Sequence, residues 1–373
     1  MQNINLMWGN ALLLFLVVVE ALLIKLFTKE KLPYKELITN LNSGHILLWI
    51  FRGMEVSAYF YTYKYASLGL VTLLPNWAVW LSAFVLWDFC FYWLHRTHHY
   101  FSWLWGVHVV HHEGEHFSLS LGIRNSWYSS LTSFPFFIGL AVLGVPVAVF
   151  VLVSSAHYFI QFLNHNHLVK SADGWFAHIF VSTSHHRVHH GKNAPYIDKN
   201  FGGCFSCWDR WFGSFQAELP QVPVQFGVAD SNPSKNPISM NNKPFLQLFN
   251  RDFSVKNATK PLPTVPEYWL VSGAILLFIM LLCYVYVELT WASLPKLLLF
   301  SIVFLGTIAN GVLCDGKAWG LVAWLVATVV LPLVFGACYP FLFMQFGVAF
   351  ALLMLHGACM AGWFYTKRTA AGA

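Results

Sequence analysis

Apolar residues run along this chain in long blocks rather than in the short alternations of a soluble fold, and the blocks set the expected architecture. A bilayer core of about 30 Å takes roughly 20 apolar residues in a helix. Residues 12–27 approach that length, interrupted only by Glu20 and Lys25. Residues 46–63 are weaker because Arg52 and Glu55 fall inside them, and residues 77–94 are apolar except for Ser82 and Asp88. Residues 134–163 are too long for one simple span and carry Gly144-Val-Pro146 at their middle, which predicts a hairpin that dips in and returns. Residues 219–266 are polar, hold eight prolines and contain no run long enough to span, so they read as a linker or surface loop. Residues 268–289, 294–312, 318–335 and 341–365 make four further spans, with no internal repeat or low-complexity tract. The expectation is an all-α, multi-pass helical membrane protein. It divides into N-terminal anchor helices (1–76), a core (77–218), a polar linker (219–266) and C-terminal membrane helices (267–373).

Composition narrows the function classes. The 373 residues are 57% hydrophobic and only 10% charged, against roughly a quarter charged in soluble chains, so a soluble enzyme or a disordered protein is excluded. Seven cysteines are too few, and odd in number, for a secreted disulfide scaffold. The formal charge of +6 is scattered, which gives no support to a nucleic-acid partner. The first ten residues hold no Lys or Arg and no small-residue cleavage site follows, so the first block reads as an anchor rather than a cleaved signal. Lys25, Lys29, Lys31 and Lys35 mark the first loop as cytoplasmic. Arg96, Lys192, Lys199, Arg210, Lys235, Lys243, Arg251, Lys256 and Lys260 agree, as do Lys367 and Arg368 after four more crossings. The expected location is a cell inner membrane or the endoplasmic reticulum, with the chemistry on the cytoplasmic side.

Histidine changes the picture from architecture to chemistry. Of 17 histidines, only His45 and His356 lie outside residues 95–190. Three groups carry helical spacing: His95-x-x-His98-His99, His108-x-x-His111-His112 and His186-x-x-His189-His190. Residues three and four apart share a helix face, so HxxxH presents two imidazoles and HxxHH three toward one point. Eight or more imidazoles exceed what one ion can hold, which points to two metals. His165 lies at the returning end of the hairpin and supplies a further ligand from there. All of them fall just past the ends of apolar segments, where a membrane lipid reaches metal chemistry from the side. His45, His116, His157, His178 and His356 fit no repeated spacing and read as structural.

Three rival motifs weigh less. His112-Glu113-x-x-His116 formally matches the helix of a zinc protease, yet it leaves His108, His111 and the 186–190 group unused and puts Gly114 inside the required helix. That reading predicts loss of activity in Glu113→Gln with iron irrelevant, whereas metal oxygenation predicts a mild effect. Cys204-x-x-Cys207 has no second pair and no βαβ context, so it reads as chance. A metal transporter would place ligands mid-span rather than in doublets at span ends.

The three motifs in this order, behind a helix rich in aromatics, resemble the fatty acid hydroxylase and sterol desaturase superfamily. Finer detail resembles its alkylglycerol monooxygenase branch: residues 184–203, beginning Ser-His-His-Arg-Val-His-His-Gly, then 208–215, Trp-Asp-Arg-Trp-Phe-Gly-Ser-Phe. The run 87–96 and the pair Gln161 and His165 match as well, so the resemblance covers about residues 77–218. It implies His95, His99, His108, His111, His112, His165, His186, His189 and His190 as ligands of two irons. His98 and His185 point away from their groups and are left out, and His165-Asn-His167 lacks the longer HxxxH of some relatives. Glu115, Asp198 and Asp209 are candidates to offset the charge of the site, and Tyr196 is a candidate to touch substrate or metal-bound oxygen. Asp88 is expected to hydrogen-bond within the bundle. The implied reaction is oxygenation of a lipid C–H bond by dioxygen, in this branch next to the ether oxygen of an alkylglycerol. Sterol or fatty acyl desaturation or hydroxylation is the alternative. With no Gly-rich dinucleotide fingerprint, electrons come from outside the chain: from tetrahydrobiopterin by resemblance, or from a ferredoxin or cytochrome partner.

Overall fold

The computed structural model describes residues 2–28, 30–43, 45–170, 174–229, 233–249 and 265–371, all helix, turn and loop with no strand among them. Lys29, Arg251, Lys256 and Lys260 of the expected charge pattern lie outside the described residues. The apolar blocks become helices α1 (Gln2–Phe27), α2 (Tyr34–Asn42), α3 (His45–Ala66) and α4 (Asn76–Tyr100) in the N-terminal part. Trp8–Phe27, α4, Glu267–Val287, Ser293–Cys314, Trp319–Cys338 and Gly347–Lys367 are long and apolar enough to cross a bilayer, which makes this a multi-pass membrane protein. The 25 residues of α4 extend about 37 Å at 1.5 Å each, so its last turns reach the edge of the hydrocarbon.

Of the charges that interrupt the first two blocks, Lys25 is exposed, whereas Glu20, Arg52 and Glu55 are used inside the bundle. In α3 the Arg52 Nη1 donates to Glu55 Oε2 at 2.6 Å and Nη2 to Ser154 Oγ at 2.6 Å, while Ser133 Oγ donates to Glu55 Oε1 at 2.8 Å. In α1 the buried Glu20 carboxylate accepts the backbone N–H of Leu119 and of His167, each at 2.7 Å. A charge in an apolar run is tolerated when it finds hydrogen-bond partners, and these three do.

After α4 the chain breaks at Phe101, which is extended, and re-enters helix as α5 (Ser102–His112). The short α6 (Leu119–Ile123) leads to the expected hairpin, α7 (Ser129–Leu143) and α8 (Val147–Leu163). Gly144 ends α7 in the left-handed region at φ 98°, and a Cβ there would lie 2.8 Å from the Gly69 Cα, so the tip has room only for glycine. Pro146 then starts α8. Helices α3, α4, α7 and α8 share one apolar core around Trp87, Phe137 and Phe150. Three short helices follow, α9 (Trp175–Ile179), α10 (Thr183–His189) and α11 (Cys207–Trp211).

The polar stretch does more than connect. Residues 219–225 pack back on the 191–196 turn, and α12 (Pro237–Leu248), capped by the Asn236 side chain on Ile238 N, lies against α5. Asn241 bridges Ser43 O and Trp127 N, and Asp315 accepts from Ser234 and Lys235, so this stretch ties the core to the C-terminal helices. Of those, α13 (Glu267–Val287) and α14 (Ser293–Cys314) pack beside α1 and α2, and Trp319–Cys338 runs through a π turn at Val326–Val330.

Candidate dimetal site

The nine histidines expected as ligands fall into two clusters, each with ring nitrogens within 4.8 Å of one another: His95, His99, His108, His112 and His189, and His111, His165, His186 and His190. The expectation that each HxxHH points three rings at one centre is corrected. Residues four apart on a helix differ by about 40° in direction, adjacent ones by about 100°. Hence His108 and His112 join one cluster while His111 turns to the other, and His186 and His190 join one while His189 crosses back. The dipeptides His111-His112 and His189-His190 each give one ring to each centre.

Local structure fixes the rings. His95 and His99 sit on the last turns of α4, His108, His111 and His112 on α5. Ser182 opens α10 with a reciprocal capping box to His185, which fixes the first turn and the direction of His186 and His189. That cap engages the His185 ring, which belongs to neither cluster. His98 is turned away as expected, with Nδ1 2.7 Å from Leu94 O and Nε2 2.9 Å from Thr132 Oγ1.

Hydrogen bonds settle the protonation pattern. Nδ1 of His95, His111, His165 and His189 faces the backbone carbonyl of Phe201 (3.0 Å), Arg124 (2.8 Å), Gln161 (2.8 Å) and Lys199 (2.9 Å). His99 Nδ1 faces the Asp198 carboxylate at 3.0 Å. A carbonyl only accepts, so each of those Nδ1 atoms carries the proton and each Nε2 is a bare lone pair. The bare Nε2 atoms of His111 and His165 lie 3.3 Å apart, where they cannot hydrogen-bond to each other. A proton between them is opposed, because burial pulls the His111 imidazole down to about 4 and holds His165 well below the usual histidine range. A metal relieves both: at about 2.1 Å per bond, ligand nitrogens at right angles lie about 3.0 Å apart. The Nε2 pairs His165–His186 (2.9 Å), His165–His190 (3.2 Å), His95–His108 (2.9 Å) and His108–His112 (3.1 Å) have that spacing. The buried Nε2 atoms of His99 and His189 have no hydrogen-bond partner at all.

Other expected residues have different places. Asp198 orients His99 and lines the rim of the site, and the His99 ring beside it holds its carboxyl below the ordinary aspartate range. Glu115 is exposed and lies against Gly227, outside both clusters. Tyr196 does not face the clusters: its hydroxyl donates to Val222 O at 2.6 Å and accepts from Leu219 N at 3.0 Å, which ties the 219–222 stretch to the site loop. Asp209 accepts the N–H groups of Phe201 and Gly202. Asp88 hydrogen-bonds within the bundle as expected, accepting from Cys204 N, Phe205 N and Trp208 Nε1. His157 joins it, with Nδ1 2.9 Å from Cys204 Sγ and 3.3 Å from Asp88 Oδ1 and Nε2 3.0 Å from Phe84 O. The protease motif is not assembled. Helix α5 ends at His112, Glu113 pairs with Arg124 at 2.8 Å, and His116 stacks on His167 away from both clusters.

Sequence reading missed Arg124 and Glu36. The Arg124 carbonyl holds His111 while its buried guanidinium reaches Val110 O, Asn40 and Glu113. Glu36 accepts from Glu115 N and His116 N at 2.8 and 2.9 Å. A cavity of about 310 Å³ opens on the site, lined by His99, His112, His189 and His190 together with Trp105, Lys192, Asp198 and Gly227. It touches rings of both clusters.

Residues 80–214 match the fatty acid hydroxylase family. The chain is 37% identical over 190 residues to an alkylglycerol monooxygenase of Danio rerio, covering 50% of this chain and 42% of that protein. It is 36% identical over 172 residues to the Homo sapiens alkylglycerol monooxygenase, 46% of this chain and 38% of the relative. A Rhizobium tropici protein, ornithine lipid hydroxylase OlsE, is 28% identical over 149 residues, 39% of this chain and 44% of the relative. The matched region thus spans less than half the length of these relatives. No solved structure matches the chain. Over this region the chain is thus similar to the fatty acid hydroxylase family and, within it, to alkylglycerol monooxygenases.

Proposed function

We propose that this membrane protein is a diiron monooxygenase that hydroxylates a lipid C–H bond, with an ether-linked glycerolipid as the first substrate to test. The observation that carries the metal reading is the pair of buried Nε2 atoms of His111 and His165, which face each other at 3.3 Å, where burial opposes a shared proton and a metal cation would satisfy both. Four imidazoles at one centre and five at the other suit iron or zinc alike. Similarity to monooxygenases and a lipid hydroxylase favours iron, the metal that suits oxygen chemistry.

When bound, two irons would supply the reduction of dioxygen and the abstraction of hydrogen from an unactivated carbon. The residues of the chain do the rest. Carbonyl-anchored Nδ1 protons keep four Nε2 atoms free to ligate, and Asp198 does the same for His99 while adding negative charge. Because α4 and α5 carry their histidines at their C-terminal ends, a lipid can present its reacting carbon from the bilayer without leaving it. The cavity beside Lys192 and Asp198 gives dioxygen and a water-borne electron donor a separate route. Hydroxylation of R–H by dioxygen to R–OH and water consumes two electrons and two protons, which an external pterin, ferredoxin or cytochrome supplies. At the carbon beside an ether oxygen the product is a hemiacetal, which falls to an aldehyde and free glycerol. The distribution of Lys and Arg in the short loops supports a site on the cytoplasmic side of its membrane.

Metal content of anaerobically purified protein, wild type beside His108→Ala, is the primary test. About two irons per chain, falling sharply in the variant, supports the reading. One zinc, unchanged in His108→Ala, overturns it. Oxygen consumption with an alkylglycerol, a sterol and a fatty acyl lipid in turn then assigns the substrate.

A further inference from the structure

We infer that Asp209 is a positioning residue for the five-histidine centre alone, acting through the backbone of residues 199–202; the inference rests on the dimetal reading above. Three of the five rings in that cluster take their orientation from one four-residue stretch. His99 is held by the Asp198 carboxylate, His189 by the Lys199 carbonyl and His95 by the Phe201 carbonyl. In the four-histidine cluster, His111 and His165 are instead held by Arg124 and Gln161, from elsewhere in the chain.

The stretch does not hold its shape unaided. Asp198 and Asn200 both sit in the left-handed region, at φ 55° and 56°, which costs free energy for any residue with a Cβ. Alternating conformations at 198 and 200 are what turn the carbonyls of 199 and 201 toward the histidines. Asp209, buried on α11, fixes the far end. Its Oδ1 accepts Phe201 N at 2.7 Å and Ser214 Oγ at 2.8 Å, and its Oδ2 accepts Gly202 N at 2.8 Å. The peptide whose carbonyl faces His95 is the one whose next N–H, that of Gly202, is gripped by Asp209, so the plane of that peptide is set by the carboxylate. A side chain at Gly202 would meet Asp209 Oδ2 at 2.9 Å and Phe205 O at 2.5 Å, which leaves the grip no slack. Asn200 secures the middle through His185 O and Gln216 O at 3.0 and 2.8 Å.

Asp209 touches no metal-facing ring, so its loss should act on one centre and spare the other. In Asp209→Asn the amide keeps one acceptor and offers a donor to the second N–H, freeing the peptide between Phe201 and Gly202. Loss of a group that orients a ligand weakens metal binding by about 10–100-fold.

The test is a titration of metal-free full-length protein in lipid nanodiscs with Co(II), followed by visible absorption and metal analysis. Four- and five-nitrogen sites give different d–d bands, so the two centres report separately. Wild type and His186→Ala are run as references, the latter removing a ligand of the four-histidine centre. The expected result is that Asp209→Asn weakens only the five-histidine band by about 10–100-fold, and that the exposed Asp198→Asn, which threatens the fold less, weakens the same band. Equal weakening of both bands in each variant, or none in either, overturns the inference. A wild type that takes up fewer than two ions fails the dimetal reading itself, a different outcome.

Discussion

Glu113→Gln separates the two chemistries that the sequence offered, and the structure fixes its size. The carboxylate lies 2.8 Å from Arg124 Nη2, and both side chains are nearly excluded from solvent, at 10% and 1% exposure. Removing one partner of a buried ion pair costs about 3–5 kcal/mol, because the remaining charge is stranded. Glutamine restores one neutral hydrogen bond of about 1 kcal/mol, and Arg124 keeps Asn40 Oδ1 and Val110 O as acceptors. The net loss should be about 2–4 kcal/mol, or on the order of 30–1000-fold in the folding equilibrium. The sequence alone suggested a mild change; for stability it is not. Because the Arg124 carbonyl also orients His111, loosening Arg124 reaches the four-histidine centre, and metal affinity there should fall by about tenfold. Thermal unfolding in nanodiscs, metal content and turnover are measured on the same preparation. The expected pattern is a lower midpoint and partial loss of metal, with turnover per bound metal pair unchanged. Full loss of turnover at wild-type stability and metal content would refute this reasoning and make Glu113 a catalytic base.

Further outcomes follow from the same geometry. His165 meets His111, His186 and His190 through one nitrogen, so His165→Ala should empty the four-histidine centre and abolish activity, read by metal analysis falling toward one ion per chain. His98→Ala should leave both ions in place and cost about 1–2 kcal/mol of stability from the bonds to Leu94 O and Thr132; loss of an ion would place His98 in the site after all. Tyr196→Phe should lower stability by about 1–2 kcal/mol through the 219–222 stretch while turnover stays near wild type. A collapse of turnover with an unchanged melting profile would return Tyr196 to the reaction.

The apolar blocks announced every long helix, since segment length and hydropathy are local properties that the bilayer reads directly. Even the weak second block is a helix of 22 residues, its Arg52 and Glu55 satisfied by each other and by serines from α7 and α8. The histidine set was legible for the same reason: spacing on a helix fixes which rings share a face. Which ring serves which centre was not, because spacing says nothing of what stands opposite, and His111 and His112 diverge to meet His165 and His99 from distant segments. The role of the 219–229 stretch was hidden too. The stretch bonds largely through its own backbone groups, to Lys192 N and to the Asn193 and Tyr196 side chains, and backbone groups leave no signature in its sequence.

The acidic residues around the site show a division of labour that bears on its charge. Glu20, Glu36, Asp88 and Asp209 are buried, and each accepts two backbone N–H groups from the loops that carry or orient the histidines. Those four carboxylates are therefore engaged as anchors, and Glu113 is matched by Arg124. Two divalent ions among nine neutral imidazoles would bring four positive charges, with Asp198 the acid that contacts a ligand ring directly. One carboxylate does not balance four charges, so the centre should draw further anions from solution through the cavity that Asp198 and Lys192 line. In the proposed oxygenase that deficit would favour binding of anions at the metals, and Asp198 would be the acid that tempers it through the His99 ring.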